Sequence, residues 1–213
     1  MKTNQPHLEY WLAVGLTASL TILSAGNSHA DELPSDDTHA ENIKWVIGAG
    51  LDFGGDKLGT VFFTNGDTAD VRANQGVVLY AGAVIANGVD SPFETQLTIG
   101  YKFGGPSAKN GDVTWSSFPL EAIQLYRMNN FRMGLGLSYH MDPKLDVSMP
   151  NANFTDHFDD ALGVVLQTGW MPAEAPYSVD LRYTVIQYKY SLAPSGVPDV
   201  DGNSLGLYGS YRF

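Results

Sequence analysis

Ser138 and His140 are the two side chains whose types and spacing most resemble a catalytic pair. Alternate residues of a β-strand point to the same side, so a strand over this segment places both on one face. A serine hydrolase needs a base that activates the serine and an acid that orients the base. The face that carries this pair is otherwise polar, whereas the acyl chain of a lipid would approach an apolar face. We therefore expect no catalysis from Ser138 and His140.

Acidic stretches hold the remaining candidates for chemistry. His157 stands close to Asp156, Asp159 and Asp160, the residue types that a loop-based acyltransferase could use. Residues 199–203 (Asp-Val-Asp-Gly-Asn) resemble part of a calcium-binding loop, but the later bidentate glutamate is missing. The chain has no cysteine, which excludes a thiolate metal site and a cysteine nucleophile. We interpret these stretches as solvated loops and expect no metal, no cofactor and no enzymatic activity.

Composition limits the remaining classes of protein. The 213 residues carry 12 Lys and Arg against 23 Asp and Glu, a net charge of -11, which argues against a nucleic-acid-binding protein. The length suits one domain behind a leader. High contents of glycine (23), tyrosine (11) and phenylalanine (10) favour β-structure over a helical bundle.

The first 42 residues are predicted to lie outside the fold. Residues 12–23 are an apolar run shorter than the ~20 residues that a spanning helix needs. Ser28-His29-Ala30 then provides the small residues of a cleavage site, so residues 1–30 are predicted to be a secretory signal peptide. Residues 31–42 are acidic and contain almost nothing to bury, and we expect a disordered tail.

Apolar and polar residues alternate along eight later segments. In residues 93–103, six apolar-side residues from Phe93 to Phe103 oppose Glu94, Gln96 and Lys102. The segments are residues 43–54, 75–85, 93–103, 113–127, 131–140, 162–171, 177–189 and 204–213. The alternation is least regular in residues 113–127, where its parity inverts and a bulge near Ile123 is expected. Residues 59–64 are interpreted as part of a hairpin in the first long connection, because a ninth strand would break the even count.

Charge identifies the polar face as the interior of a barrel. This face carries Lys44, Asp52, Glu94, Lys102, Glu121, Arg132, Asp180, Arg182 and Arg212. It is too charged for a dry sandwich core. A barrel whose apolar face meets lipid and whose polar face lines the lumen explains both faces. The charges are then predicted to pair as a network across the lumen, because unpaired buried charges are costly.

Strand ends and connections agree with a membrane barrel. Most segments approach the ~9–11 residues that a tilted strand needs to cross a bilayer. Aromatic residues fall at both ends, as expected at the two membrane interfaces. One predicted rim has Trp45, Phe93, Tyr126, Phe131, Trp170, Tyr177, Tyr211 and Phe213, and the other has Phe53, Tyr101, Phe103, Trp115 and Tyr139. Short connections alternate with long ones, the asymmetry of periplasmic turns and outer loops.

The last nine residues, Leu-Gly-Leu-Tyr-Gly-Ser-Tyr-Arg-Phe, alternate and end on an aromatic residue. With the leader and the strand count, residues 43–213 resemble the small eight-stranded bacterial outer-membrane β-barrels of the OmpA/OmpX type. The resemblance implies an all-β fold, an eight-stranded antiparallel up-and-down transmembrane β-barrel. It also implies that Leu207, Tyr211 and Phe213 form the signal read by the barrel assembly machinery.

The predicted function is that of a non-enzymatic integral outer-membrane barrel with a role in envelope structure or surface interaction. Its expected partners are outer-membrane lipids, lipopolysaccharide and, during biogenesis, the assembly machinery. An eight-stranded barrel is only wide enough for side chains or one small ligand, which leaves a narrow channel or small-ligand carrier as the alternative. A lipid A-modifying enzyme is favoured less. A soluble periplasmic sandwich or lipocalin-like barrel would share the alternation of residues, but not a charged interior.

Overall fold

The computed structural model describes residues 43–62, 68–88, 91–108, 111–149, 152–172, 175–192 and 196–213. The predicted signal peptide (residues 1–30) and acidic tail (residues 31–42) lie outside these ranges and stay predictions. The described residues form β1 (Ile43–Gly54), β2 (Lys57–Phe62), β3 (Thr68–Arg72), β4 (Gly76–Ala86), β5 (Phe93–Gly104), β6 (Ser107–Ala108), β7 (Gly111–Met128), β8 (Phe131–Met149), β9 (Ala152–His157), β10 (Ala161–Trp170), β11 (Tyr177–Val185), β12 (Gln187–Tyr188), β13 (Val200–Asp201) and β14 (Ser204–Arg212).

Eight of these strands close into a barrel. The ring consists of β1, β4, β5, β7, β8, β10, β11 and β14. Each of these strands pairs antiparallel with the ring strand that follows it in the sequence. β14 then pairs with β1, with Ile47 opposite Tyr211 and Leu51 opposite Leu207. Closure leaves no free edge in the ring. Each predicted strand segment contributes one ring strand, which confirms the eight-stranded antiparallel up-and-down barrel.

The barrel wall is inverted relative to a soluble protein. Outward-facing Leu135 and Leu162 are 57% and 63% exposed, whereas inward-facing Arg132 is 2% exposed. Apolar side chains cover the outside of all eight ring strands, and charged side chains are buried inside. Such a wall is stable where its outer surface meets hydrocarbon instead of water. The structure is therefore that of a transmembrane barrel.

Connections differ between the two ends. At one end β7 and β8 are joined by only Asn129 and Asn130, and Asn129 adopts a φ of 55°, which asparagine tolerates in a tight hairpin turn. At the other end β7 and β8 extend further and reach total lengths of 18 and 19 residues. The short strands β6 and β9 pair with these extensions. β2 pairs with β3 outside the ring, as the hairpin interpretation of residues 59–64 predicts for residues 59–62; residues 63–64 lie outside the described residues. We assign the short turns to the periplasmic side.

The irregularity lies between β7 and β8, away from its predicted place, and the extra residue is on β8. The register against β8 shifts between Ser116 and Phe118, and the bulge expected near Ile123 is wrong. Ile123 and Leu125 keep the inward direction of Glu121 and pack with Val165 as an apolar layer inside the barrel. Ile123 and Leu125 are apolar although they face the lumen. The alternation of apolar and polar residue types therefore inverts here, while the direction of the side chains along the strand does not.

Within the part of the chain that the structure describes, no helix is long and apolar enough to cross a membrane.

Candidate functional site in the barrel lumen

The lumen is filled by side chains from the inward-facing positions of the ring strands. Four acidic residues there each contact a basic residue, in pairs that join different strands. The pairs and their shortest N–O distances are Asp52–Lys102 (2.7 Å), Glu121–Arg182 (2.7 Å), Glu94–Arg212 (2.9 Å) and Asp180–Arg132 (2.5 Å). All eight side chains are buried. The charges of the lumen are therefore compensated pair by pair.

Two arginine clusters occupy the periplasmic level of the lumen. Arg132 Nη2 donates to Ser178 Oγ at 2.6 Å, and Ser178 Oγ is 2.7 Å from Ser210 Oγ. Glu94 accepts from both Arg212 and Arg127, at 2.9 Å and 3.0 Å. Sequence reasoning missed Arg127, because a bulge at Ile123 would have turned it outward. An unbroken alternation from Glu121 would have found it.

Arg182 is the centre of the middle level. Its Nε donates to Gln167 Oε1 at 2.8 Å, and its Nη1 donates to Glu121 Oε2 at 2.7 Å. Its guanidinium carbon lies 4.0 Å from the ring centroid of Tyr208 and 5.4 Å from that of Tyr80. Both rings thus add cation–π contacts to the ion pair. Alternation already places Tyr80 and Tyr208 on the polar face, but it does not say which cation they meet.

The outer level of the lumen is built around Asp52. Its carboxylate accepts from Lys102 Nζ and, at 2.6 Å, from the hydroxyl of Tyr208. Lys102 also donates to Asn74 Oδ1 at 2.7 Å, and Asn74 Nδ2 donates to Ser204 Oγ at 3.0 Å. Asn74 has a φ of 59°, a conformation in which asparagine is enriched. Asn74 lies before β4 and outside the alternating pattern, so sequence reasoning could not place it.

Lys44 is the exception among the nine predicted lumen charges. Its side chain is exposed at the periplasmic start of β1, whereas the other eight are buried. The prediction that Lys44 belongs to the lumen network is therefore wrong. It lies two residues before buried Val46, opposite Val84 near the periplasmic end of the β1–β4 ladder, where water reaches the ammonium group and no partner in the lumen is needed.

An apolar cluster covers the outer end of the lumen. Its buried residues come from the β2–β3 hairpin, the extensions of β7 and β8, the β9–β10 junction and the last long connection. They are Val61, Val71, Ala73, Val113, Trp115, Leu145, Val147, Phe158, Ala161, Ile186, Tyr188 and Val200. We call this set the outer closure. The ring centroid of Trp115 lies 5.1 Å from that of Phe158 and 5.0 Å from that of Tyr188. The long connections thus form a packed core above the charged lumen.

Trp115 does not belong to the outer aromatic rim. It is fully buried in the outer closure, so that part of the rim prediction is wrong. Odd-numbered residues of β7 face inward from Val113 to Leu125, so Trp115 lies on the same side as Glu121, whereas Phe118 faces outward. Phe118 and Tyr101 have ring centroids 5.0 Å apart on the lipid-facing side, while Phe53, Phe103 and Tyr139 are exposed as expected.

Ser138 and His140 lie inside the barrel, on the predicted face. Ser138 is fully buried and donates to Glu121 Oε1 at 3.3 Å. His140 is also buried, and a hydrogen bond of 2.8 Å joins its Nδ1 to the hydroxyl of Tyr188 in the outer closure. The two side chains therefore use different partners, and neither faces the lipid side.

The acidic outer connections are held by local contacts. His157 Nδ1 lies 3.8 Å from Asp142 Oδ1, and Asp201 accepts from the backbone and side chain of Asn203 within the calcium-like stretch. Among the described residues no group of three or more His, Cys, Asp or Glu is placed to hold a metal ion. A hydrogen bond from Lys57 holds the pKa of Asp70 below its usual value, and burial with the nearby charge of Asp156 raises the pKa of Tyr190.

A closed eight-stranded ring, an apolar outer wall, a charged lumen and unequal ends define a transmembrane β-barrel with the fold of the small outer-membrane proteins of the OmpA/OmpX type, which supports a location in the bacterial outer membrane. The fold is similar to that of Ail, the attachment invasion locus protein of Yersinia pestis, whose structure was solved with the heparin analogue sucrose octasulfate. That match has a TM-score of 0.52 and 14% identity, and it covers 81% of this chain and 98% of Ail.

Two further solved structures match. Neisserial surface protein A has 14% identity and a TM-score of 0.45, over 80% of this chain and 97% of the other. AlkL, an outer-membrane protein solved in lipid bilayers, has 12% identity and a TM-score of 0.37, over 89% of this chain and 97% of the other. No protein-family model and no curated protein sequence matches the chain.

Proposed function

We propose that the protein is a non-enzymatic outer-membrane barrel with a structural or surface-interaction role in the envelope. The observation that carries this proposal is the filled and covered lumen. Paired charges such as Arg182 and Glu121 occupy its interior, and the outer closure packs over its outer end. A barrel filled in this way leaves its outer connections and its lipid-facing wall as the surfaces available to partners.

A narrow ion path is the second candidate function. Several buried polar atoms of the lumen have no hydrogen-bond partner among the described residues, including Asp52 Oδ1, Gln96 Oε1 and Arg212 Nε. Unsatisfied polar atoms inside a protein are commonly satisfied by water, and a chain of waters could carry small ions. The apolar outer closure argues against this route, because an ion would have to leave water to cross it.

The partners that we propose are lipids, lipopolysaccharide and the barrel assembly machinery. Leu207, Tyr211 and Phe213 are 54%, 50% and 64% exposed on the outer face of the chain end, where a partner can reach them during assembly. The outer connections hold more aspartates than lysines and arginines. They therefore suit a neutral or cationic surface partner better than a polyanion such as the sulfated ligand of the Ail complex, and we propose that lipopolysaccharide contacts the lipid-facing wall through its acyl chains.

Conductance of single barrels in planar bilayers tests the proposal against the narrow channel. We expect no resolved current at raised salt, because the lumen charges are paired and the outer end is covered. Stepwise currents that vanish in a variant of the lumen would establish the channel instead. The enzyme alternative is tested by the lipid A mass profile of host cells: a Ser138→Ala, His140→Ala double variant should leave the wild-type profile unchanged, and a difference would contradict the proposal.

A further inference from the structure

The few polar side chains on the lipid-facing wall are grouped in one place. Between the aromatic rims, the outward-facing positions of the described ring strands carry a non-aromatic polar group only at Thr95, Gln124 and Thr168. Thr95 and Gln124 face each other on β5 and β7, and Thr168 follows on β10. Polar groups that face lipid are costly and are rare without a function. Their grouping on one side of the barrel marks that side as distinct.

Hydrogen bonds link two of these side chains to the neighbouring turn. Thr95 Oγ1 donates to Gln124 Oε1 at 3.0 Å, and Asn87 Nδ2 approaches the same oxygen at 3.5 Å. Gln124 Nε2 donates to the backbone carbonyl oxygen of Glu94 at 3.0 Å. A side-chain amide has two N–H donors, and these contacts use one on Gln124 and one on Asn87. Thr95 Oγ1 also lies 3.2 Å from Asn87 Oδ1. The cluster thus keeps one N–H donor on each amide for a ligand, beside the acceptor capacity of Thr95 and Asn87.

The depth of the cluster is given by the aromatic rim beside it. Phe93 and Tyr126, the neighbouring outward pair, have ring centroids 5.2 Å apart at the periplasmic end. Thr95 and Gln124 are the next outward pair, roughly 5 Å deeper, since a strand rises about 3.4 Å per residue and tilts by about 45°. The donors therefore lie at the boundary between the periplasmic headgroups and the hydrocarbon.

A shallow apolar depression of about 510 Å³ begins at this cluster. Its lining includes Gln124, Met133, Leu135, Leu166, Thr168 and Leu181, and Gly134 lies in its floor. We call it the lipid-facing depression. A depression of this volume lined by aliphatic side chains suits a flexible hydrocarbon chain. The site thus combines donors at the membrane boundary with an apolar channel for a chain.

We propose that the lipid-facing depression binds one phospholipid of the periplasmic leaflet. The ester carbonyl oxygens of a phospholipid lie at this boundary and are acceptors only, which matches the free N–H groups of Gln124 and Asn87. Its acyl chain lies along Met133, Leu135 and Leu166. The site deepens the lipid contacts proposed above, and its failure would leave the barrel and its role in the envelope untouched, because those are tested by gel mobility and conductance.

Native mass spectrometry of the refolded chain in detergent, titrated with phosphatidylethanolamine, tests this site. We expect one lipid to bind in preference to further lipids, and Gln124→Leu to weaken that first binding about five- to tenfold, the effect of losing one or two hydrogen bonds. Leu166→Trp, which fills the depression, should also weaken it. Leu79→Trp, on the lipid-facing side of β4 outside the depression, should not. Every variant is first checked for heat-modifiable gel mobility.

The wild-type chain alone provides a second measurement. A diether phosphatidylethanolamine lacks the ester carbonyls, so we expect it to bind the wild type severalfold more weakly than the diester lipid does. Gln124→Leu should bind the diether and the diester lipid equally weakly. Equal binding of the two lipids by the wild type, or equal binding of the diester lipid by wild type and Gln124→Leu, would overturn the proposal. A dimer that Gln124→Leu dissociates would overturn it too, by assigning the depression to a second copy of the chain.

Discussion

The guanidinium of Arg182 lies between the carboxylate of Glu121, 2.7 Å away, and the ring of Tyr208, whose centroid is 4.0 Å from its Cζ atom. These residues belong to β11, β7 and β14, so one cation joins three parts of the wall across the lumen. Its side chain is 1% exposed. In such a site the attraction between the charges has to offset their removal from water.

Removing only the cation should therefore be costly. Arg182→Met leaves the carboxylate of Glu121 buried without its partner, and we expect the free energy of unfolding to fall by about 3–5 kcal/mol. The double variant Arg182→Met, Glu121→Leu should recover most of that loss, because no charge remains unpaired. Denaturant titration of the refolded barrel measures both. A double variant as unstable as the single one would mean that packing, and not charge, decides stability here.

Gly48 should tolerate no side chain. A Cβ atom there would contact the ring and hydroxyl of Tyr80 and would lie 2.5 Å from the carbonyl oxygen of Gly209, a backbone atom that cannot move aside. We expect Gly48→Ala to lower the free energy of unfolding by about 1–3 kcal/mol, the usual effect of overpacking.

Gly209→Ala is the matched control for this change. It lies on β14 beside Gly48, and the nearest atom to a Cβ there is the oxygen of Ser178 at 4.0 Å. It should leave the denaturation midpoint near that of the wild type. Equal effects of the two variants would contradict the close approach of Tyr80 to β1.

Trp115 should stabilise the outer closure more than the barrel. Trp115→Ala removes a fully buried ring that contacts Phe158 and Tyr188, and we expect a loss of about 3–5 kcal/mol in the free energy of opening the closure. Limited proteolysis should then cut the outer connections faster, while heat-modifiable mobility of the barrel persists. Phe154→Ala, which removes a half-exposed ring from the same region, should be cut at the wild-type rate. Equal rates for both variants would contradict the packed closure.

Phe213 should matter for assembly in cells and little for the finished barrel. Phe213→Ala is expected to lower the amount of protein in the outer membrane severalfold, because we assign this residue to the assembly signal. Refolding of the purified chain in detergent should be unchanged. Trp45→Ala is the matched control: Trp45 is 60% exposed at the same rim, and its backbone exchanges hydrogen bonds with Phe213. If both variants reduced the outer-membrane level equally, the loss would reflect the rim and not a signal.

The strands of this barrel could be predicted from sequence because alternation and charge act together. In residues 93–103 the polar side holds Glu94 and Lys102, and buried charges exclude a dry core. The inward direction of Tyr80 and Tyr208 follows from the same alternation. These features depend only on which side of a strand a residue occupies.

The partners across the lumen could not be predicted in the same way. Asp52 and Lys102 come from β1 and β5, and Arg212 and Glu94 come from β14 and β5, strands that are not neighbours in the ring. Which charges meet depends on strand tilt and stagger, which alternation does not encode. Trp115 is a different case, because it shares the parity of Glu121 along β7. Alternation alone places it on the inward face, and only its aromatic type near a strand end suggested the rim.

Gel mobility of the refolded mature chain, boiled and unboiled, tests the transmembrane barrel most directly. A closed barrel with a lipid-facing apolar wall resists unfolding by detergent, so the unboiled sample should migrate differently and shift to the unfolded position on heating. Unchanged mobility, together with solubility in the absence of detergent, would contradict the lipid-facing wall. The exposed surface of Leu135 and Leu162 would then have to be buried against protein instead.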